Sequence, residues 1–191
     1  MFVEANQEKT LERADWRPIV KWIGESGVDI LEISGLEREK KMSDEEWKVF
    51  LEDMRDMNVN MQAGAEQAQY AESFGVLGAK GQLNRDPPLL GRWPVSIIKG
   101  RNGRELRRLF ETAVEKGYGS EEERERFGES LERFDEVDRE LQEEVKSLST
   151  NNRFVEAKGS GHMVQITEPE VIVEEVKWVA IQVLSKLDGK Q

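Results

Sequence analysis

Apolar residues recur along this chain at helical spacing for most of its length and at strand spacing in three short places. Trp16, Ile19, Val20 and Ile23 lie 3, 1 and 3 residues apart, one face of a helix that ends near Gly24. Trp47, Phe50, Leu51 and Met54 form a second stripe behind Ser43-Asp44-Glu45-Glu46. That tetrapeptide is a capping box: the serine hydroxyl accepts from the Glu46 amide and the glutamate carboxylate returns to the serine amide. Met61 to Phe74 continues in good helix formers. Gly75, Gly78 and Gly81 with Pro87-Pro88 then predict a loop from Gly75 to Gly91. Arg104 to Lys116 reads as a further helix.

A second capping box, Ser120-Glu121-Glu122-Glu123, opens a helix predicted to run towards Leu148. Its Phe127, Leu131, Phe134, Val137, Leu141, Val145 and Leu148 advance in steps of 4, 3, 3, 4, 4 and 3, a narrow apolar stripe in charged surroundings. Thr167-Glu168-Pro169-Glu170 is a third box, with Pro169 in the first turn, where its missing N–H costs nothing. The helix after it carries Ile172, Val176, Val179, Val183 and Leu187 on one predicted face.

The strand signals are Phe2-Val3, the run Trp93 to Gly100 and the run Arg153 to Ala157. Pro94 fits only at the start of its strand because it cannot donate to a ladder. Strands separated by helices predict a parallel sheet in which the three lie side by side in chain order. The block from Thr10 to Phe74 is too long for a simple crossover and reads as an inserted helical subdomain. The chain opens inside a strand, which raises the expectation that polypeptide of the same fold lies upstream of Met1.

Composition narrows the function classes. Among 191 residues, 39 Asp and Glu face 28 Lys and Arg, a net charge of −11, with 35% charged and 37% hydrophobic residues. Such acidity disfavours binding to a phosphate backbone, so no nucleic-acid partner is expected. No cysteine and one histidine leave no thiolate or multi-histidine metal site and no cysteine nucleophile. No apolar run approaches a membrane span, and Met1-Phe2-Val3-Glu4 is no secretory signal, so a cytoplasmic protein is expected.

The candidate chemistry centres on Lys158-Gly159-Ser160-Gly161-His162-Met163, between the last strand and the last helix. Loops at the C-terminal ends of parallel strands are where such sheets place their sites. Gly159 and Gly161 allow positive φ and close backbone approach, and an imidazole titrates near neutrality, which suits proton transfer. A surface histidine in a glycine-rich loop is the plainer reading of the same residues.

Arg153-Phe154-Val155-Glu156-Ala157, Gly159-Ser160-Gly161-His162 and Glu168-Pro169-Glu170-Val171-Ile172 together resemble the C-terminal end of α/β-hydrolase-fold enzymes. In that family a late strand delivers the catalytic histidine in a Ser-Gly-His turn before the closing helix. The resemblance implies a partial α/β-hydrolase: a short parallel sheet of about three strands with a helical lid insertion. It divides the chain into a strand before the lid (1–9), a lid or cap region (10–90) and the C-terminal part of the core (91–191). It implies an ester-type or related hydrolase working without cofactor, in which His162 is the base of a Ser–His–acid relay.

The family's nucleophile sits in G-x-S-x-G. Gly24-Glu25-Ser26-Gly27-Val28 lacks the second glycine, Gly159-Ser160-Gly161 is spaced wrongly, and no HGGG-like oxyanion run occurs. The chain alone is therefore expected to be inactive. For the acid, Gly100 is followed by Arg101-Asn102-Gly103-Arg104 and then Glu105, whereas Glu4 ends the strand before the lid; Glu4 is the first choice and Glu105 the runner-up. Trp16, Trp47 and Met57 are the candidate pocket residues, although lid core is the preferred reading of Trp16, Trp47 and Met54. The expected partner is a small ester-like substrate once the missing half is supplied, with an exposed sheet edge open to self-association. The rival reading is a non-catalytic acidic helical interaction protein or a degenerate hydrolase remnant.

Overall fold

The computed structural model describes residues 1–189. The expected core unit at 91–191 therefore includes two residues, 190 and 191, outside those described. The chain runs β1 (Phe2–Val3), α1 (Thr10–Arg13), α2 (Arg17–Glu25), α3 (Ile30–Ser34), α4 (Leu36–Glu39), α5 (Asp44–Arg55), α6 (Met57–Lys80) and β2 (Val95–Lys99). It continues through α7 (Asn102–Glu115), α8 (Glu121–Glu144) with a 3₁₀ turn at Val145–Leu148, β3 (Asn152–Glu156), α9 (Val164–Thr167) and α10 (Pro169–Leu187).

The three strands form one parallel sheet in the order β1-β2-β3, as the alternation of strands and helices predicts. Phe2 pairs with Ile97 and Val3 with Ile98, while Val95 to Lys99 pair in register with Asn152 to Glu156. β2 is buried throughout. Val95 and Ile97 pack on Val145 and Leu148, and Ile98 packs with Ala157 and Val164. Alternate side chains thus face opposite layers, the period-two rule of a central strand covered on both sides.

The long α8 stripe is realised: Phe127, Leu131, Leu141, Val145 and Leu148 are buried, and Phe134 and Val137 are half-buried. Its N-terminal part joins α2 and α7 around Trp22, whose ring centroid lies 5.6 Å from Phe110, 5.1 Å from Tyr118 and 5.5 Å from Phe127. The capping boxes at Ser43 and Ser120 both form.

Three local expectations need correction. α6 continues through Gly75 and Gly78 to Lys80 and stops at Gly81, whose φ of 53° is left-handed. A glycine inside a helix costs only about 1 kcal/mol, and buried Phe74 with half-buried Leu77 anchors this turn. The third capping box does not form. Thr167 ends α9, where its hydroxyl donates to Ser160 Oγ at 2.6 Å, and α10 starts without a side-chain cap. Finally, the inward face of α10 is only partly the predicted one, with Ile172, Val179 and Val183 half-buried. Glu175 is its buried residue, taking the Ser96 hydroxyl at 2.7 Å and the Arg153 guanidinium at 3.2 Å, while Val176 and Leu187 are exposed. α10 is apolar nearly all round, so a run of branched side chains did not mark its inner face.

Candidate active site at the carboxyl edge of the sheet

Parallel strands end on one edge, and the register brings Glu4, Gly100 and Ala157 there together. The Glu4 amide donates to the Ile98 carbonyl at 3.0 Å and the Ala157 amide to the Lys99 carbonyl at 2.8 Å, so the ladder extends one residue past each outer strand. Glu4 then turns into the left-handed region, φ 48°, a conformation that costs a non-glycine residue about 1–2 kcal/mol. The turn aims its carboxylate inward: the side chain is 4% exposed and accepts from the Gly100 amide and from Asn102 Nδ2. Its Oε2 also lies 3.4 Å from His162 Nδ1.

The His162 loop is zipped to the turn after β2. The Arg101 amide donates to the Ser160 carbonyl at 2.7 Å, and a Cβ on Gly100 would collide with the Gly161 carbonyl. A Cβ on Gly161 would in turn collide with the Glu105 carboxylate. Close approach is what demands these glycines. Neither Gly159 nor Gly161 uses positive φ, contrary to the expectation from sequence. Arg104 holds the loop from outside, donating to the Gly159 carbonyl at 2.9 Å and pairing with Glu39 of α4 at 2.7 Å.

Glu105 sits differently from Glu4. Its carboxylate accepts from the His162 backbone amide at 3.3 Å, and burial pushes it above the usual carboxylate range against the pull of that amide and of Arg104. Glu4 thus meets the ring and Glu105 meets the backbone. The hydrogen bond to the Glu4 carboxylate raises the His162 imidazole above its ordinary range; desolvation opposes this, and the charges of Glu4, Glu105 and Asp138 assist. Nδ1 is fixed on a carboxylate while the side chain stays 63% exposed, an arrangement able to present Nε2 for proton transfer.

Beside the pair lies a cavity of about 540 Å³ lined by Glu4, Glu105 and His162 and roofed by the helical insertion. Of the sequence-derived pocket residues only Trp16 lines it, in edge contact with Tyr70 at 5.7 Å. Trp47 is 5% exposed, stacked on Phe50 and packed with Leu36 and Ile166, so it is core between insertion and histidine loop. Met57 is 77% exposed at the start of α6 and outside the cavity, because of that helix only Tyr70 reaches the lining. Met54, expected in the lid core, lines the cavity instead and is 49% exposed. Ser160 is fully buried and bonded to Thr167, and Ser26 donates to the Ile23 carbonyl at 2.6 Å.

Sequence reasoning missed the support beneath Glu4. Lys99, 3% exposed, pairs with Asp138 at 2.9 Å and donates to the Gly100 carbonyl at 2.7 Å. Burial raises the Asp138 carboxyl, and Lys99 opposes that. Gln142, one turn on, donates to the Ala5 carbonyl at 2.9 Å. A lysine closing the apolar run Val95 to Ile98 was the available signal, since a charge in a buried strand needs a partner. The described residues hold no cluster of three or more His, Asp and Glu able to bind a metal, and no helix among them is long and apolar enough to cross a membrane.

The comparisons with known proteins bear on this geometry. The chain is 36% identical over 182 residues, 93% of its length, to a Gibberella zeae protein described as "AB hydrolase superfamily protein". That similarity supports an α/β-hydrolase family for this chain. It is also 30% identical over 190 residues to a Hormonema carpetanum protein described as "Probable transporter efuK". The chain spans 54% of the first relative and 26% of the second, about half and a quarter of their lengths. No family model matches it and no solved structure matches it. The three-stranded parallel sheet with a helical insertion after β1 is a partial α/β-hydrolase fold.

Proposed function

We propose that this chain supplies the base, the acid and the lid of an α/β-hydrolase acting on an ester-type bond. His162 takes the proton of a serine nucleophile and returns it to the leaving group; Glu4 fixes the Nδ1 tautomer and stabilises the imidazolium. The observation that carries this reading is the Glu4–His162 Nδ1 contact on the carboxyl edge of the sheet, at the mouth of the cavity. Glu105 is a positioning residue in this scheme, because it holds the backbone of the histidine and not its ring. The helices between β1 and β2 act as the lid, and the units 1–9, 10–90 and 91–191 follow from that division.

The nucleophile and oxyanion donors of this scheme belong to polypeptide beyond the residues described. The sequence holds no G-x-S-x-G, and two uncovered surfaces suit a second body: the outer edge of β1 and the exposed face of α10 bearing Val173, Ile181 and Leu184. Those same surfaces favour self-association when the chain stands alone. A cytoplasmic location is part of the proposal and is read by cell fractionation.

The test joins this chain to the part of the Gibberella relative that it does not match and follows hydrolysis of p-nitrophenyl butyrate. The fusion should turn over ester and His162→Ala should lower the rate by several orders of magnitude, with Glu4→Gln losing about 10⁴-fold as in other relays with a neutralised acid. Full activity in the His162→Ala fusion would end the reading.

A further inference from the structure

We propose that the cavity beside Glu4 and His162 takes an uncharged, largely apolar molecule and excludes carboxylates and phosphates of similar size. The inference rests on the hydrolase reading and adds to it the chemical class that the site admits.

Size comes first. About 540 Å³ is more than three times the roughly 150 Å³ that admits one benzene ring, and it lies within the usual range for small-molecule sites. The walls are apolar: Trp16, Val20, Ile23, Leu31, Leu106 and Phe134 are among those that line it. Burying a hydrocarbon body against them is favourable without any polar partner.

Charge then decides the class. The lining includes the carboxyl groups of Glu4, Glu105 and Asp138, the imidazole of His162, and no lysine or arginine. The cations nearby are already paired, His162 with Glu4, Lys99 with Asp138 and Arg104 with Glu39, so that among the described residues Glu105 is the lining carboxylate without an ion pair. An anion would also need hydrogen-bond donors, and several on the lining are already engaged. Asn102 Nδ2 donates to Glu4 and Gln142 Nε2 donates to the Ala5 carbonyl. The Ser34 hydroxyl likewise donates to the Leu31 carbonyl at 3.2 Å. A carboxylate entering this space would lose its hydration and meet like charge with few donors in return. A neutral ester or alcohol carries no such penalty.

The test measures binding to the full chain near pH 8, by calorimetry and by the fluorescence of Trp16 in the lining, with two probes of equal length: octan-1-ol and octanoate. Octan-1-ol should bind at least about tenfold more tightly, the discrimination that one like charge roughly 8 Å away imposes in a partly buried site. Glu105→Gln should narrow the gap by strengthening octanoate. Ala14→Phe, and independently Leu31→Trp, should weaken octan-1-ol by filling the cavity, with circular dichroism confirming the fold of each. Octanoate binding as well as octan-1-ol, or octan-1-ol unaffected by both folded filling variants, overturns the proposal. The contrast needs no turnover, so its failure is read separately from that of the His162→Ala hydrolysis test.

Discussion

Replacing Lys99 with Met tests the charge arrangement under the candidate site. Lys99 is 3% exposed and the Asp138 side chain 13%, and their 2.9 Å separation gives a gross attraction of about 5–6 kcal/mol at an effective dielectric of 20. Most of that attraction offsets the cost of taking both charges out of water, so the pair itself adds little net stability. Removing one partner is another matter, because Asp138 is then buried without compensation. The expected loss for Lys99→Met is about 3–5 kcal/mol, and the Gly100 carbonyl loses its ammonium donor as well. For a chain of this length that corresponds to a fall in Tm of about 6–20 °C.

The sign of its pH dependence is fixed by Asp138. Burial already holds that carboxyl above its unfolded value, and losing Lys99 removes the force that opposes the rise. A raised carboxyl destabilises the fold above the unfolded pKa, and the deficit shrinks as pH falls through the folded pKa. The Lys99→Met deficit should therefore be largest near neutrality and smaller in mild acid. Lys99→Met with Asp138→Leu should recover most of the loss, since an apolar pair of similar volume replaces a buried ion pair at little cost. Urea unfolding of wild type, single and double variants at two pH values reads all of this. A single-variant loss under 1 kcal/mol that is unchanged by pH would refute the buried-pair reasoning.

Three other outcomes are expected, two from the same edge of the sheet and one from the exposed face of α10. His162 is the only histidine, so its imidazole titration by NMR needs no assignment; Glu4→Gln should lower its pKa, because Glu4 is the largest cause of the rise. The folded pKa is raised, so this pair's stabilisation is whole below the unfolded imidazole range and is lost as pH rises through the folded pKa; the pH-dependent part of the Glu4→Gln deficit should vanish in mild alkali, and an unchanged titration would contradict the contact. Gly100→Ala should destabilise the fold more than Gly161→Ala by thermal melting, because the first meets a backbone carbonyl and the second a carboxylate at the end of a flexible side chain; the reverse order would put the loop packing in error. Replacing Ile181 and Leu184, 59% and 60% exposed, with Lys should reduce self-association in sedimentation without lowering Tm; a clear loss of stability would mean that this face is covered.

What was legible in the sequence, and what was not, divides along a physical line. Strand order, the α8 stripe and two capping boxes follow from local rules: periodicity sets which way a side chain points, and Ser-x-x-Glu satisfies its own helix end. Hydrophobic periodicity does not say what a buried face is buried against. Trp16 and Trp47 carry the same signal, yet one lines the cavity and the other is core, because the packing of α5 against the histidine loop is a tertiary fact. The third capping box fails for the same reason: the buried Ser160 hydroxyl competes for Thr167 and wins. α10 misleads because it is apolar on nearly every side, so no stripe distinguishes the face that holds Glu175 against Ser96 from the one left uncovered. The support of Glu4 by Asn102, Lys99 and Asp138 joins residues from β2, α7 and α8, and no spacing along one element could have brought them together. Only the charged end of an apolar strand hinted at it. Buried charge obliges a partner to exist, and the fold decides which residue that partner is.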